Sequence, residues 1–317
     1  MPASVTPASR SLLGLEGLPA EALRELLNAA HEMGQRPPRA TLAGRIVVNL
    51  FFEDSTRTRM SFSIAARRLG AEVVDLLGSG SSVSKGETLI DTARNVEAMG
   101  VAAIVVRARQ SGAAAMIARH VSCPVINAGD GRHEHPTQGL LDIYTLAESH
   151  GRLGSFDLRG LRVAIVGDAA ASRVARSAIA GMTTLGAEVV CVGPPALAPR
   201  SLSALGATVS HELDAVLPRV DAVMMLRIQF ERYGEGKGAE QQRSAPIHSI
   251  REYRELYALT PERTRMMKPG AIVMHPGPIN RGIEMDGAVA DGERSVVLRQ
   301  VHNGVLVRMA VLERAVL

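Results

Sequence analysis

Ile46-Val-Val-Asn-Leu50, running straight into Phe51-Phe-Glu-Asp-Ser-Thr-Arg-Thr-Arg59, decides the fold of this chain. The first five residues form an apolar, β-branched run of strand length. Thr56 to Leu69 then carries helical spacing and stops at Gly70, a residue suited to the left-handed turn that closes a helix. A buried strand that passes through a polar turn into a helix opens a βαβ unit. At such a junction the first N–H groups of the helix lack intrahelical partners, and the positive end of the helix dipole faces outward. Ser55, Thr56 and Thr58 add hydroxyls there, and Arg57 adds a planar fork that matches paired phosphate oxygens. A Ser cap alone would mark only a helix start. Donor side chains at every position from Ser55 to Arg59 point to an anion site.

Outward from this point the rhythm repeats. Glu72 to Leu76 reads as a strand, Glu87 to Met99 as a helix closed by Gly100, and Ala103 to Val106 as a strand. Ala113 to His120 is a helix, Val125 to Asn127 a short strand, and Pro136 opens a helix that reaches Ser149. The Gly-rich, polar segment Gly151 to Gly160 reads as a domain junction. The pattern restarts at Arg162-Val-Ala-Ile-Val166, with a helix from Ser172 to Leu185. Strands are expected at Glu188 to Val192, Ala207 to Ser210, Ala222 to Met225 and Ile272 to His275. Arg232 to Ser249 has no period and reads as a long loop, functional or disordered. The last fifteen residues are apolar at helical spacing and are expected to dock on the body. The fold class is therefore α/β, with two doubly wound parallel-sheet domains.

Composition narrows the function classes. Hydrophobic residues make up 46% and charged residues 21%, as in ordinary globular proteins. With no Trp, four Tyr and five Phe, base-stacking platforms are not expected. The 36 basic residues against 32 acidic ones are scattered along the chain, without the basic stripe of a nucleic-acid reader. Cys123 and Cys191 are too few for a disulfide framework, which fits a reducing, cytoplasmic compartment. Met1 to Arg10 lacks the apolar core of a signal peptide, and no apolar run is long enough to span a membrane.

Five further segments carry possible chemistry. Gly80-Ser-Ser-Val-Ser-Lys-Gly-Glu87 is a strand-to-helix loop with Lys85 near the helix start. It lacks Walker spacing and taken alone is as readily a solvated loop. Asn127-Ala-Gly-Asp-Gly-Arg-His-Glu-His-Pro-Thr-Gln138 delivers His135, Thr137 and Gln138 to a helix start. There His135 suits a hydrogen bond to a carbonyl oxygen that gains charge. Its His-Glu-His triplet is a poor match to zinc spacing, so no metal is expected. Gly167-Asp-Ala-Ala-Ala-Ser-Arg173 lacks the Gly-x-Gly-x-x-Gly fingerprint, and Arg173 suits a carboxylate instead. In Leu226-Arg-Ile-Gln-Phe-Glu-Arg232, Arg227 and Gln229 alternate and share a direction at a strand end. His275-Pro-Gly-Pro-Ile-Asn-Arg281 is a stiff turn whose carbonyls suit an ammonium or amide N–H.

Together these segments resemble the aspartate/ornithine carbamoyltransferase family over roughly residues 10 to 315. Ser55-Thr-Arg-Thr-Arg59 is similar to its carbamoyl-phosphate signature. His135-Pro-Thr-Gln138, Arg227-x-Gln-x-Glu-Arg232 and His275-Pro-x-Pro-x-x-Arg281 are similar to its aspartate branch. The resemblance implies transfer of a carbamoyl group from carbamoyl phosphate to L-aspartate, early in pyrimidine synthesis, without a cofactor. It assigns residues 1–150, with a C-terminal helix over 295–317, to carbamoyl phosphate and residues 151–294 to aspartate. Ser55, Thr56, Arg57, Thr58 and Arg107 would hold the phosphate end, with Ser81 and Lys85 supplied across a subunit boundary. Thr58, Arg107 and His135 would stabilise the carbamoyl oxygen, and Gln138 would contact the carbamoyl amide. Arg173, Arg227 and Gln229, aided by Lys85, would bind aspartate, while backbone groups of Pro276 and Gly277 touch substrate. A homotrimer with shared sites is implied, as is a possible larger assembly with regulatory chains or dihydroorotase. Ala169-Ala-Ala171 departs from the larger or polar residues of the family, which puts the local shape before Arg173 in question. The ornithine branch would need a site for a cationic side chain. A non-catalytic relative should have lost phosphate ligands, and all of them are present.

Overall fold

A computed structural model describes residues 10–77, 87–228 and 249–317. It divides into two compact units. Unit 1 comprises residues 1–144, 153–156 and 302–317, and unit 2 comprises residues 145–152 and 157–301.

In unit 1, β1 (Ile46–Phe51) is buried along nearly its whole length. It pairs in parallel with β2 (Glu72–Leu77) on one side and β3 (Ala103–Ala108) on the other. β4 (Val125–Asp130) lies beyond β3, giving the order β2-β1-β3-β4. The expected strand at Val125 to Asn127 thus continues to Asp130, with a register shift against β3 and a positive φ of 114° at Gly129. α2 (Thr56–Arg68) presses Phe62, Ala65 and Ala66 into the core, the i, i+3, i+4 spacing of an amphipathic helix. Gly70 ends it at φ 81°. A Cβ there would stand 2.8 Å from that of Ala40, so both conformation and space require Gly.

α1 (Ala20–Gln35), α3 (Leu89–Ala98), α4 (Ala113–Ala118) and α5 (Pro136–Ser149) complete the helices on this part of the chain. α1 was not expected, although Leu23, Leu26, Leu27 and Ala30 lie on one buried face. Asn49 Nδ2 donates to Ser63 Oγ at 3.0 Å and to Asp75 Oδ1 at 2.7 Å, tying α2 to the strands beneath it.

In unit 2 the sheet order is β7-β6-β5-β8-β9, all parallel. The strands are β5 (Arg162–Val166), β6 (Glu188–Val192), β7 (Thr208–Ser210), β8 (Ala222–Met225) and β9 (Ile272–Met274). α6 (Arg173–Thr184) follows β5. The short α7 (Leu213–Val216), α8 (Ile250–Tyr257), α9 (Pro261–Met266) and α10 (Gly287–Ala290) fill the connections. The C-terminal helix α11 (Val297–Val316) falls within the 295–317 expected for it and starts ahead of the last fifteen residues. In unit 1 its Arg308 lies over the ring of Phe62, 5.2 Å from the centroid. No helix among the described residues is long and apolar enough to cross a membrane.

Candidate active site

Ligands of open α/β sheets gather beyond the C-terminal strand ends, where the strand order reverses. In unit 1 that reversal falls between β1 and β3, because β1 leads outward to β2 and β3 leads the other way to β4. Phe51 and Arg107 are register partners at that point, and Phe52 N donates to Arg107 O at 2.8 Å. The turn holding Ser55 to Thr58 is thereby placed beside the buried Arg107. That guanidinium donates from Nη1 to Ala128 O at 3.0 Å, and its Nη2 lies 3.7 Å from Glu53 Oε1. β4 thus aims one arm of the fork.

Ser55 occupies the N-cap of α2, yet its hydroxyl makes no cap bond. The hydroxyls of Thr88, Ser172, Ser249 and Thr260 all cap their own helices. The first turn of α2 contains no acidic residue, so the helix dipole and Arg57 both favour a negative ligand.

His135 and Gln138 come from the turn between β4 and α5. His135 O accepts from Gln138 N and Gly139 N at 2.9 and 3.1 Å, which starts the helix. Its side chain is buried. The triplet around it is occupied by structural bonds. Glu134 accepts from Leu15 N and Glu16 N, while His133 Nδ1 lies 3.1 Å from Asp130 Oδ2. Gln138 Nε2 donates to the fully buried Asp142 at 2.9 Å.

Unit 2 repeats the geometry. Its strand order reverses between β5 and β8, the strands that lead to Arg173 and Arg227. Gly167 leaves β5 at φ 118°, where an added Cβ would stand 3.2 Å from both Leu226 O and Tyr253 Oη. Asp168 Oδ1 then accepts from Ala171 N at 3.1 Å, and Ser172 caps α6. Ala169 N and Ala170 N donate to Gly167 O and Leu197 O, both at 2.9 Å, and Ala169 and Ala171 are buried. Arg173 opens α6 as a buried cation. Arg227 follows β8 and is half-buried.

The turn after β9 is built on a buried pair. Gly277 N donates to His275 Nδ1 at 2.7 Å, so the ring proton sits on Nε2. That proton faces Glu284 Oε1 at 3.2 Å. Glu284 also accepts from Asn280 N at 2.6 Å, and Asn280 Nδ2 reaches Ile228 O at 3.0 Å. This network fixes Pro276 and Gly277 next to the segment that carries Arg227. The expected ligands Ser81, Lys85 and Gln229, and most of the loop at Arg232 to Ser249, lie outside the described residues.

Four carboxylates here were not singled out from the sequence: Glu53, Asp142, Asp168 and Glu284. The first lies inside the quoted phosphate motif. Asp142 follows Gln138 by one helical turn, a spacing that brings side chains together. Glu284 gives no local signal, because only the folded turn brings it to His275.

The known proteins that this chain matches fit this layout. The family model for the carbamoyl-P binding domain of aspartate/ornithine carbamoyltransferases matches residues 10–148. The model for the Asp/Orn binding domain matches residues 159–315. The aspartate carbamoyltransferase catalytic subunit of Myxococcus xanthus is 56% identical over 306 residues, covering 96% of this chain and 98% of its own length. That of Rhodospirillum rubrum is 51% identical, covering 96% and 93%. The crystal structure of Trypanosoma cruzi aspartate transcarbamoylase with carbamoyl phosphate and aspartate superposes with a TM-score of 0.85 at 30% identity, covering 98% of each chain. Ornithine carbamoyltransferase from Thermus thermophilus superposes with a TM-score of 0.83 at 26% identity, covering 97% and 99%. With each half matched by its own domain model, and half of its residues shared with curated relatives along nearly the whole length, the chain belongs to the aspartate/ornithine carbamoyltransferase family.

Proposed function

We propose that this chain is an aspartate carbamoyltransferase catalytic subunit, forming N-carbamoyl-L-aspartate and phosphate from carbamoyl phosphate and L-aspartate. The observation that carries this reading is the coincidence of two arrangements. Each sheet reverses its strand order at the point where the sequence supplies cationic anion ligands, and the relatives sharing about half of the residues bear that name. Arg173 and Arg227 suit an anionic second substrate, whereas ornithine presents a cation.

Unit 1 is assigned to carbamoyl phosphate, and the part of unit 2 within residues 151–294 to aspartate. Ser55, Thr56, Arg57 and Thr58 hold the phosphate at the start of α2. Arg107, Thr58 and His135 donate to the carbamoyl oxygen, and Gln138 meets the carbamoyl amide. The neutral amine of aspartate attacks the carbamoyl carbon, the C=O electron pair moves onto oxygen, and the C–O bond to phosphate breaks as the carbonyl re-forms. One preorganised donor to such an oxyanion is worth about 3–4 kcal/mol. A departing phosphate oxygen accepts the amine proton. Arg173, Arg227 and Gln229, with Lys85, hold the aspartate carboxylates, and backbone groups of Pro276 and Gly277 contact carbamoyl phosphate. Ser81 and Lys85 are assigned to a neighbouring subunit's site, so the working unit is a homotrimer in the cytoplasm. The names of the curated relatives as catalytic subunits favour a larger assembly as well.

A direct test supplies the purified protein with carbamoyl phosphate and either L-aspartate or L-ornithine and measures the ureido product colorimetrically. Carbamoyl-aspartate alone is expected. Citrulline formation, or no product with either amine, would overturn the reading.

A further inference from the structure

Gln138 and Asp142 stand one turn apart on α5, and their bond is buried. Gln138 Nε2 donates to Asp142 Oδ1 at 2.9 Å. An ionised carboxylate only accepts hydrogen bonds, whereas a carboxamide accepts at one end and donates at the other. With one N–H of its nitrogen held by Asp142, Gln138 is oriented so that its oxygen is the acceptor it offers. No described residue donates to Gln138 Oε1.

The sense of this amide depends on the Asp142 carboxyl accepting from it inside unit 1, where an uncompensated charge is costly. Arg308 of α11 supplies the compensating cation. It is buried, stacks over Phe62 of α2, and donates from Nη1 to Gly304 O at 3.0 Å. A Cβ at position 304 would stand 2.6 Å from that Nη1, so Gly304 leaves room for the guanidinium. Burial pulls Arg308 down to about 10, against the opposing pull of the Asp142 charge. It remains a cation at neutral pH.

We propose that Asp142 is a positioning residue that locks Gln138 as a hydrogen-bond acceptor, so that the site selects a carbamoyl N–H over a methyl group. This rests on reading unit 1 as the carbamoyl-phosphate site. It adds a specificity device, because a phosphate carrying an acetyl group in place of the carbamoyl has nothing to donate to Gln138.

Three stable probes separate the parts, each measured by calorimetry on the full-length protein. Phosphonoacetamide carries the amide N–H, 2-oxopropylphosphonate carries methyl in its place, and inorganic phosphate carries neither. The wild type is expected to prefer the amide over the methyl ketone by about tenfold, the effect of one hydrogen bond. Asp142→Ala is expected to erase that preference and Asp142→Asn to shrink it, with phosphate affinity within twofold of wild type in both. Arg308→Met removes the compensating charge and is expected to act like Asp142→Asn, whereas Arg308→Lys keeps the preference. Retained preference in Asp142→Ala or Arg308→Met would overturn the proposal. So would a parallel loss of phosphate affinity, which marks a merely structural role. If the wild type bound both phosphonates equally, the carbamoyl-site reading would itself fall, and the proposal with it.

Discussion

Replacing Arg107 with Met separates a catalytic donor from a structural strap. The side chain ends β3 almost fully buried, with one guanidinium nitrogen on Ala128 O at 3.0 Å and the other 3.7 Å from Glu53. Methionine has similar reach and no donor. Its immediate structural cost is the orphaned Ala128 carbonyl, about 1–3 kcal/mol for a buried group left unsatisfied. The long, partly buried contact with Glu53 adds at most about 1 kcal/mol. The folded protein therefore loses roughly 1–4 kcal/mol of stability and still folds. Turnover should suffer separately. One lost oxyanion donor lowers kcat by about 100- to 1000-fold, and saturating substrate does not restore it. The assay pairs urea melts with initial rates of carbamoyl-aspartate formation at saturating carbamoyl phosphate and aspartate. A melt shifted as calculated, together with a kcat within about tenfold of wild type, would refute the reasoning. Arg107 would then be a strap on β4 that never touches the reacting carbonyl.

Other expectations concern the shared site and the thiols. Arg57→Ala and Lys85→Ala proteins are each expected to be nearly inactive, and mixing them under conditions of subunit exchange should recover activity. Recovery absent despite confirmed hybrid oligomers would remove the shared-site assignment. Burial, aided by the charge of Glu97, pushes the Cys123 thiol up to about 12, and burial alone does the same to Cys191. Both thiols stay protonated far above their usual range, and the thiolate is the reactive form. Alkylation by iodoacetamide at pH 8 should therefore be slow in the native protein and fast at both positions in denaturant. Rapid native labelling would contradict the packing around them.

What the sequence revealed and what it withheld follow from the range of the forces involved. The runs at Ile46, Ala103 and Arg162 are buried strands, so their apolar character stands out locally. The phosphate turn is legible because all its ligands lie within a few residues of one helix start. α1 lies outside the sequence expectations, because its buried face at Leu23, Leu26, Leu27 and Ala30 adjoins no chemical motif. β7 and β9 are three residues long, and neighbouring strands set their ends more than propensity does. The partners of the ligands were hidden for another reason. Ala128 beneath Arg107, Arg308 behind Asp142 and Glu284 behind His275 are tertiary neighbours, and the partners of the last two pairs meet only after folding.

The idle hydroxyl of Ser55 has a consequence for how folding and binding share their free energy. A helix cap is worth about 1 kcal/mol, and α2 forgoes its own while other helices keep theirs. On the proposed reading, a phosphate docking there takes the place of the missing cap. Part of the affinity for phosphate is thus helix stability held in reserve until ligand arrives. A Ser55→Ala change should accordingly barely alter the melting temperature of the empty protein, while shrinking the rise in melting temperature that phosphate produces.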